Sequence, residues 1–212
     1  SLEVSYYTDG DGILVLQTKT GQALVDSSAH ELVFDIAVLT PASTYPTTLN
    51  GLVLKGANSQ SDVDLTTQAI GGKLGALLSL RDKELPNYNA QLDELAHKIA
   101  TRFDDQNVRL FTDSTGVVPA NSPTTYNGFA AQMRVNSSIL ANPSLLQSGT
   151  SGPSVNAGSN AIILKVINYT FGRYKDALNT PNTAFNLSDI GYAQDIDTHI
   201  LGDANATLEQ YA

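Results

Sequence analysis

The chain has 212 residues, a formal net charge of −9 and neither cysteine nor tryptophan. Its length allows one large domain or two small ones, and 42 % hydrophobic residues are enough for a core. With 12 Lys plus Arg against 21 Asp plus Glu, the chain argues against nucleic-acid binding, because phosphate contacts need clustered cations. No apolar run approaches the roughly 20 residues of a membrane span, and the absence of cysteine removes disulfides, thiolate metal sites and cysteine nucleophiles together.

The first residues, SLEVSYYTDG, lack the basic and apolar regions of a signal peptide and read as the middle of a strand. Val4 and Tyr6, then Ile13 to Leu16, flank the turn TDGDG, and Asp-Gly between alternating runs predicts a hairpin. A second turn, Thr18 to Gly21, leads into a strand at Gln22–Val25. Glu31 to Leu39 is expected as a strand with Leu32, Phe34, Ile36 and Val38 on one face. Thr40 to Thr48 reads as a Pro- and Thr-rich loop, and Leu52–Leu54 and Val63–Leu65 as short strands. The first part of the chain is thus a small antiparallel sheet or barrel.

The period then changes. Leu85, Tyr88, Leu92, Leu95, Ile99 and Phe103 step by three and four, the spacing of one helical stripe. The stripe extends upstream through Leu74, Leu77, Leu78 and Leu80. Pro86 predicts a kink near Glu84 to Pro86, or a restart with proline in the first turn. A partner helix is expected near 159–178, capped by Ser159 or Asn160 and carrying Ile163, Val166, Ile167, Thr170, Phe171, Tyr174 and Leu178. Between them lie turns, a short strand at Gln132–Val135, and a mobile loop at Gln147 to Gly158. The fold class is therefore α+β: a strand-rich domain over 1–68, then a mainly helical domain over 69–212 with one long helix.

No catalytic constellation emerges. Asp9-Gly10-Asp11-Gly12 starts like a calcium loop, but loop positions 5 and 12 are Ile13 and Thr20, so a plain turn fits better. His30, His97 and His199 lack a partner at metal-ligand spacing, and His97 reads as a solvated or half-buried structural residue. Arg81-Asp82 and Asp93-Glu94 read as charges on an exposed helix face, with Glu94–Lys98 as an i,i+4 pair. Gly71-Gly72-x-x-Gly75 lacks the phosphate-loop Lys-Ser/Thr and reads as close backbone packing where strand meets helix. Asn136, Asn168, Asn186 and Asn205 fit the glycosylation triplet, which is frequent in such an Asn/Ser/Thr-rich chain. Catalytic, metal and cofactor sites are expected to be absent.

The segment GGKLGALLSLRDKELPNYNAQLDELAHKIATRF resembles the FlgK family of bacterial flagellar hook-associated proteins. That family's pattern is Gly-Gly-x-Leu-x-Gly-Leu-Leu, an Arg-Asp, then a long helix with Leu-Asp-x-Leu-Ala. The corresponding residues are Gly71, Gly72, Leu74, Gly75, Leu77, Leu78, Arg81, Asp82, Leu92, Asp93, Leu95 and Ala96, with Ala76 intervening between the glycine and the paired leucines. MRVNSSILANPSLLQSG is similar to a downstream family stretch, and TLEQYA to the approach to a terminal helix. The resemblance implies a non-enzymatic structural subunit joining hook to filament, exported without a cleaved signal. It implies an internal segment whose terminal helical regions lie elsewhere. Its implied partners are copies of itself and neighbouring hook and hook-associated proteins, with an export chaperone acting on the C-terminal region and neither nucleic acid nor membrane bound. Gly71, Gly72, Leu74, Leu78, Arg81, Asp82, Leu92, Leu95, Ile99 and Phe103 are then the motif and helix-packing residues. Other readings are a different axial flagellar protein, and an adhesin or glycan-binding module drawing on Tyr6-Tyr7, Tyr45 and the Thr/Asn-rich loops.

Overall fold

The computed structural model describes residues 2–40, 43–56, 61–68, 71–153, 155–156, 158–172 and 174–181. The chain divides into two compact units, Ser1–Pro86 and Asn87–Ala212.

In the first unit, β1 (Val4–Thr8), β2 (Leu14–Thr18) and β3 (Ala23–Val25) form an antiparallel sheet in sequence order. The Asp-Gly hairpin forms where the alternation demands it. One Asp9 carboxylate oxygen accepts from the amides of Asp11 (3.0 Å) and Ile13 (2.8 Å), and Gly12 takes φ 80°, a region glycine enters without a Cβ clash. A second antiparallel sheet holds β4 (Leu32–Phe34), β5 (Leu52–Leu54) and β6 (Val63–Asp64) in that order, leaving β4 at an edge. Alternating side chains of both sheets feed one core, in which Leu24, Leu52, Leu54 and Leu65 meet Leu78 of the following helix. The β region is therefore two small sheets. The strand expected over Glu31–Leu39 stops at Phe34, because β5 ends opposite it at Leu52. Ile36 and Val38 stand 94 % and 88 % exposed.

The helical run covers α1 (Gly72–Ser79), a π-helical turn (Leu80–Glu84) and α2 (Leu85–Asp105), 34 residues in all. Pro86 lies at the second position of α2, directly after the π turn. Proline has no amide hydrogen and its ring crowds the carbonyl four residues earlier; widening the preceding turn relieves that conflict without ending the helix.

The second unit adds β7 (Phe111–Thr112) paired with β8 (Arg134–Val135), and the short helices α3 (Pro123–Tyr126), α4 (Phe129–Gln132), α5 (Ser137–Ala141) and α6 (Leu145–Ser148). The helix expected over 159–178 is shorter: α7 (Ala161–Lys165) runs into a π turn (Val166–Thr170) and ends there. Its buried residues are Ile162 and Thr170, while Ile163, Ile167 and Phe171 are exposed, so the inward face is rotated from the expected one. Ile162 packs with Val108 and Ile139. In the loop expected over Gln147 to Gly158, Thr150 and Ser151 are hydrogen-bonded near Asn107. The Thr150 amide donates to the Asn107 carbonyl (2.8 Å), and the Ser151 hydroxyl to that of Asp104 (3.3 Å). His199, the triplets at Asn186 and Asn205, and TLEQYA lie outside the described residues.

Candidate assembly surface

The motif residues of the first unit make a strand-to-helix junction. Gly71 and Gly72 both take positive φ, 61° and 63°. A Cβ on Gly71 would lie 2.0 Å from a Glu3 carboxylate oxygen, the end of a flexible exposed side chain, so the positive φ is the stronger ground for glycine. Leu78 is buried and Leu74 half-buried against the leucine core. Arg81, one turn on, is a tie. Its guanidinium donates to both Asp82 carboxylate oxygens and to the Asn50 carbonyl (3.2 Å). It also sits 5.4 Å from the ring centre of Phe34 and 6.0 Å from that of Tyr45. The Tyr45 hydroxyl donates to Asp64, and that bond, by holding the phenol neutral, raises the Tyr45 pKa. The Arg81–Asp82 charges, expected in solvent, are each 14 % exposed at the side chain and serve to hold the loop around Tyr45 and Asn50.

Within the second unit the long helix reverses its expected faces. Tyr88 and Leu92 of the apolar stripe are 56 % and 55 % exposed, and Leu95, Ile99 and Phe103 are half-buried. The stripe expected to be covered is thus open at its start. Phe103 is flanked by aromatic rings, edge-on to Phe111 (5.5 Å) and Phe171 (5.8 Å). The buried side carries Ala90, Asp93, Glu94, Ala96, His97, Lys98, Ala100 and Arg102.

Asp93 and His97 explain part of the local fold. Asp93 accepts from the amides of Gly128 (2.6 Å) and Ala130 (2.8 Å), which begin α4. It so satisfies donors that a helix start leaves open. Burial nevertheless pushes the Asp93 pKa up against those two bonds. His97 stacks on Tyr126 (4.6 Å), meets Phe129 edge-on (6.2 Å), and places Nε2 2.7 Å from the Pro119 carbonyl. A carbonyl only accepts, so Nε2 carries the proton. Burial lowers the His97 pKa and favours the neutral ring. Glu94 is fully buried, and burial raises its pKa to about 8 against the opposing pull of Lys98. Glu94 and Lys98, expected as a pair on a solvated face, are both buried, and among the described residues neither Glu94 carboxylate oxygen has a hydrogen-bond partner. Further along, Arg102 donates to the Thr170 carbonyl (3.4 Å), and Arg109 makes a two-pronged pair with Asp104 (3.1 Å each).

Sequence reasoning passed over this polar face. The signal was there: Ala90, Ala96 and Ala100 are small enough to let loops approach the helix closely, and Asp93 and His97 share their side. Among the described residues no group of three His, Asp or Glu converges as a metal site, and no helix is long and apolar enough to cross a membrane. Asn136, one of the glycosylation triplets, is buried. It caps α5 by accepting from the Ser138 amide (2.9 Å) and donates to the Arg109 carbonyl (2.9 Å).

Residues 1–115, which hold both sheets and the whole long helix, match the family model for the helical domain of the flagellar hook-associated protein FlgK. The chain belongs to the FlgK family. It is a flagellar hook-associated protein, with a structural role in that bacterial appendage. Neither a curated protein nor a solved structure matches it.

Proposed function

We propose that this FlgK-family chain is a non-enzymatic structural subunit that joins the flagellar hook to the filament. The observation that carries the reading is the face of α2 in the second unit. Tyr88, Leu92, Leu95 and Ile99 repeat at three- and four-residue steps, and the first two are more than half exposed. Such spacing is a seam for another helix, while α2's own unit is packed on the opposite side around Asp93 and His97. A subunit that must hold neighbours together needs a face of this kind, whereas an enzyme needs convergent reactive groups. The partners in this reading are copies of the chain and adjacent hook and hook-associated proteins. Leu92, Leu95, Ile99 and Phe103 are the helix-packing residues, and Gly71, Gly72, Leu74, Leu78, Arg81 and Asp82 set the junction that leads into the helix.

On the same reading, 1–68 is an outward strand-rich domain and 69–212 a helical domain nearer the axis. The protein reaches the cell exterior through the flagellar export apparatus without a cleaved signal, helped by a chaperone that acts on C-terminal sequence. Deleting the gene in its own bacterium tests the reading by electron microscopy. Cells with hooks but no attached filaments, restored by the wild-type gene, are expected. Normal filaments in the deletion strain would refute it.

A further inference from the structure

Asparagine is followed by glycine at Asn50-Gly51 in the first unit and at Asn127-Gly128 in the second. Such a pair is chemically labile, because glycine has no Cβ to hinder its own nitrogen from closing on the asparagine side chain. The fold guards one pair and leaves the other open. Asn127 and Gly128 take φ,ψ of −59°, 125° and 80°, 6°, the two central conformations of a type II turn. Ring closure needs the side chain and the following nitrogen eclipsed about the Cα–C bond, and a ψ of 125° turns that nitrogen away. The Gly128 amide is also buried and donates to the Asp93 carboxylate (2.6 Å), an anion beside which the loss of its proton is disfavoured.

At Asn50 the nitrogen is unguarded. The residue is exposed, and the β4–β5 ladder ends at Phe34–Leu52, so the Gly51 amide has no hydrogen-bond acceptor among the described residues. The Arg81 guanidinium donates to the Asn50 carbonyl (3.2 Å), and a cation on that oxygen eases proton loss from the nitrogen conjugated with it. The Asp64 carboxylate lies close to Gly51 as well, but its oxygens accept from the Tyr45 hydroxyl and the Thr66 amide.

We infer that Asn50 is a site of spontaneous deamidation in the folded protein, and that Asn127 is spared. The Gly51 nitrogen gives its proton to hydroxide and bonds to Cγ of Asn50. The Cγ–Nδ2 bond breaks, and Nδ2 takes a proton from water and leaves as ammonia. Water then opens the ring to aspartate or isoaspartate, so one water replaces one ammonia overall. The Asn50 Nδ2 donates to Asp35 (2.9 Å), so the new carboxylate faces a like charge. Isoaspartate also adds a backbone methylene and displaces the carbonyl that Arg81 holds. The reaction thus loosens the Arg81 tie irreversibly as the protein ages.

The purified chain is incubated in mildly alkaline buffer, digested with trypsin and read by mass spectrometry. Peptides 20–55 and 110–134 carry the two sites, and fragment spectra separate Asn127 from Asn121. In guanidinium the two sites are expected to convert at similar rates. In the folded chain Asn50 is expected to convert about tenfold faster than Asn127 or more, the factor that each ~1.4 kcal/mol of local opening free energy supplies. Asp93→Ala, its fold checked by circular dichroism, should raise the Asn127 rate and leave that of Asn50 unchanged. The converted chain, separated by its added charge on an anion-exchange column, should melt below the unconverted one, and Asn50→Gln should not form it. Equal rates at both sites in the folded chain, faster conversion at Asn127, an Asn50 that stays intact while the unfolded chain converts, or a converted chain with unchanged melting would overturn the inference.

Discussion

Two adjacent residues of the long helix, Leu92 and Asp93, offer the sharpest test of its reversed faces. An ordinary amphipathic helix would bury the leucine and solvate the aspartate. Here Leu92 is 55 % exposed and Asp93 is 3 % exposed with two amides bound to its carboxylate. Leu92→Ala removes little buried surface and should cost at most about 0.5 kcal/mol, the usual range for exposed positions. Asp93→Ala leaves the Gly128 and Ala130 amides without an acceptor and opens a void. Each orphaned buried donor costs about 1–3 kcal/mol, and some water entry lowers the total, so about 3 kcal/mol is expected. Burial raises the Asp93 pKa, so the cost comes from the orphaned amides and the void; the charge itself is held at a penalty. Urea unfolding followed by circular dichroism, with the slope unchanged between variants, gives both numbers. A larger loss for Leu92→Ala than for Asp93→Ala would refute the assignment of faces.

Glu94 makes stability depend on pH in an unusual direction. Its folded pKa, about 8, exceeds its ordinary value of 4.5, so the stability it confers is complete below about 4.5 and is lost as pH rises through 8. Glu94→Gln should therefore be more stable than wild type at pH 8, and the advantage should shrink toward pH 5; melting temperatures over that range check it. His97 acts oppositely, since its lowered pKa makes it lose stability as pH falls from its ordinary 6.5, so in Glu94→Gln the acid side of the profile should steepen with His97 dominant. Gly71→Ala should cost about 1–2 kcal/mol from its φ of 61°, with partial recovery on adding Glu3→Ala; full recovery would show that the contact with Glu3, rather than the backbone conformation, requires glycine.

Local chemistry made much of the fold legible in the sequence. The Asp9–Gly12 hairpin, β5, β6 and the helical run near 70–106 follow from turn residues and periodicity, which act over a few positions. The expectation failed where the partner decides. Ile36 and Val38 have strand chemistry, but among the described residues no neighbouring strand reaches them. Tyr88 and Leu92 have core chemistry, but the loops carrying Pro119, Tyr126 and Gly128 pack on the other side of the helix. Those loops choose the polar side because Asp93 supplies an acceptor for open helix-start amides, His97 a donor for a carbonyl, and the alanines room. Periodicity weighs only hydrophobicity, so a buried face made of alanine and polar groups escapes it. Arg81 likewise reads as a surface charge until Asn50 and Phe34, distant in sequence, are brought beside it.

Gold-labelled antibody against the chain, applied to intact flagella and viewed by electron microscopy, locates it directly. A single narrow band of label where hook meets filament is the expected result. Label distributed along the filament, or confined to the cell body, would contradict a junction subunit.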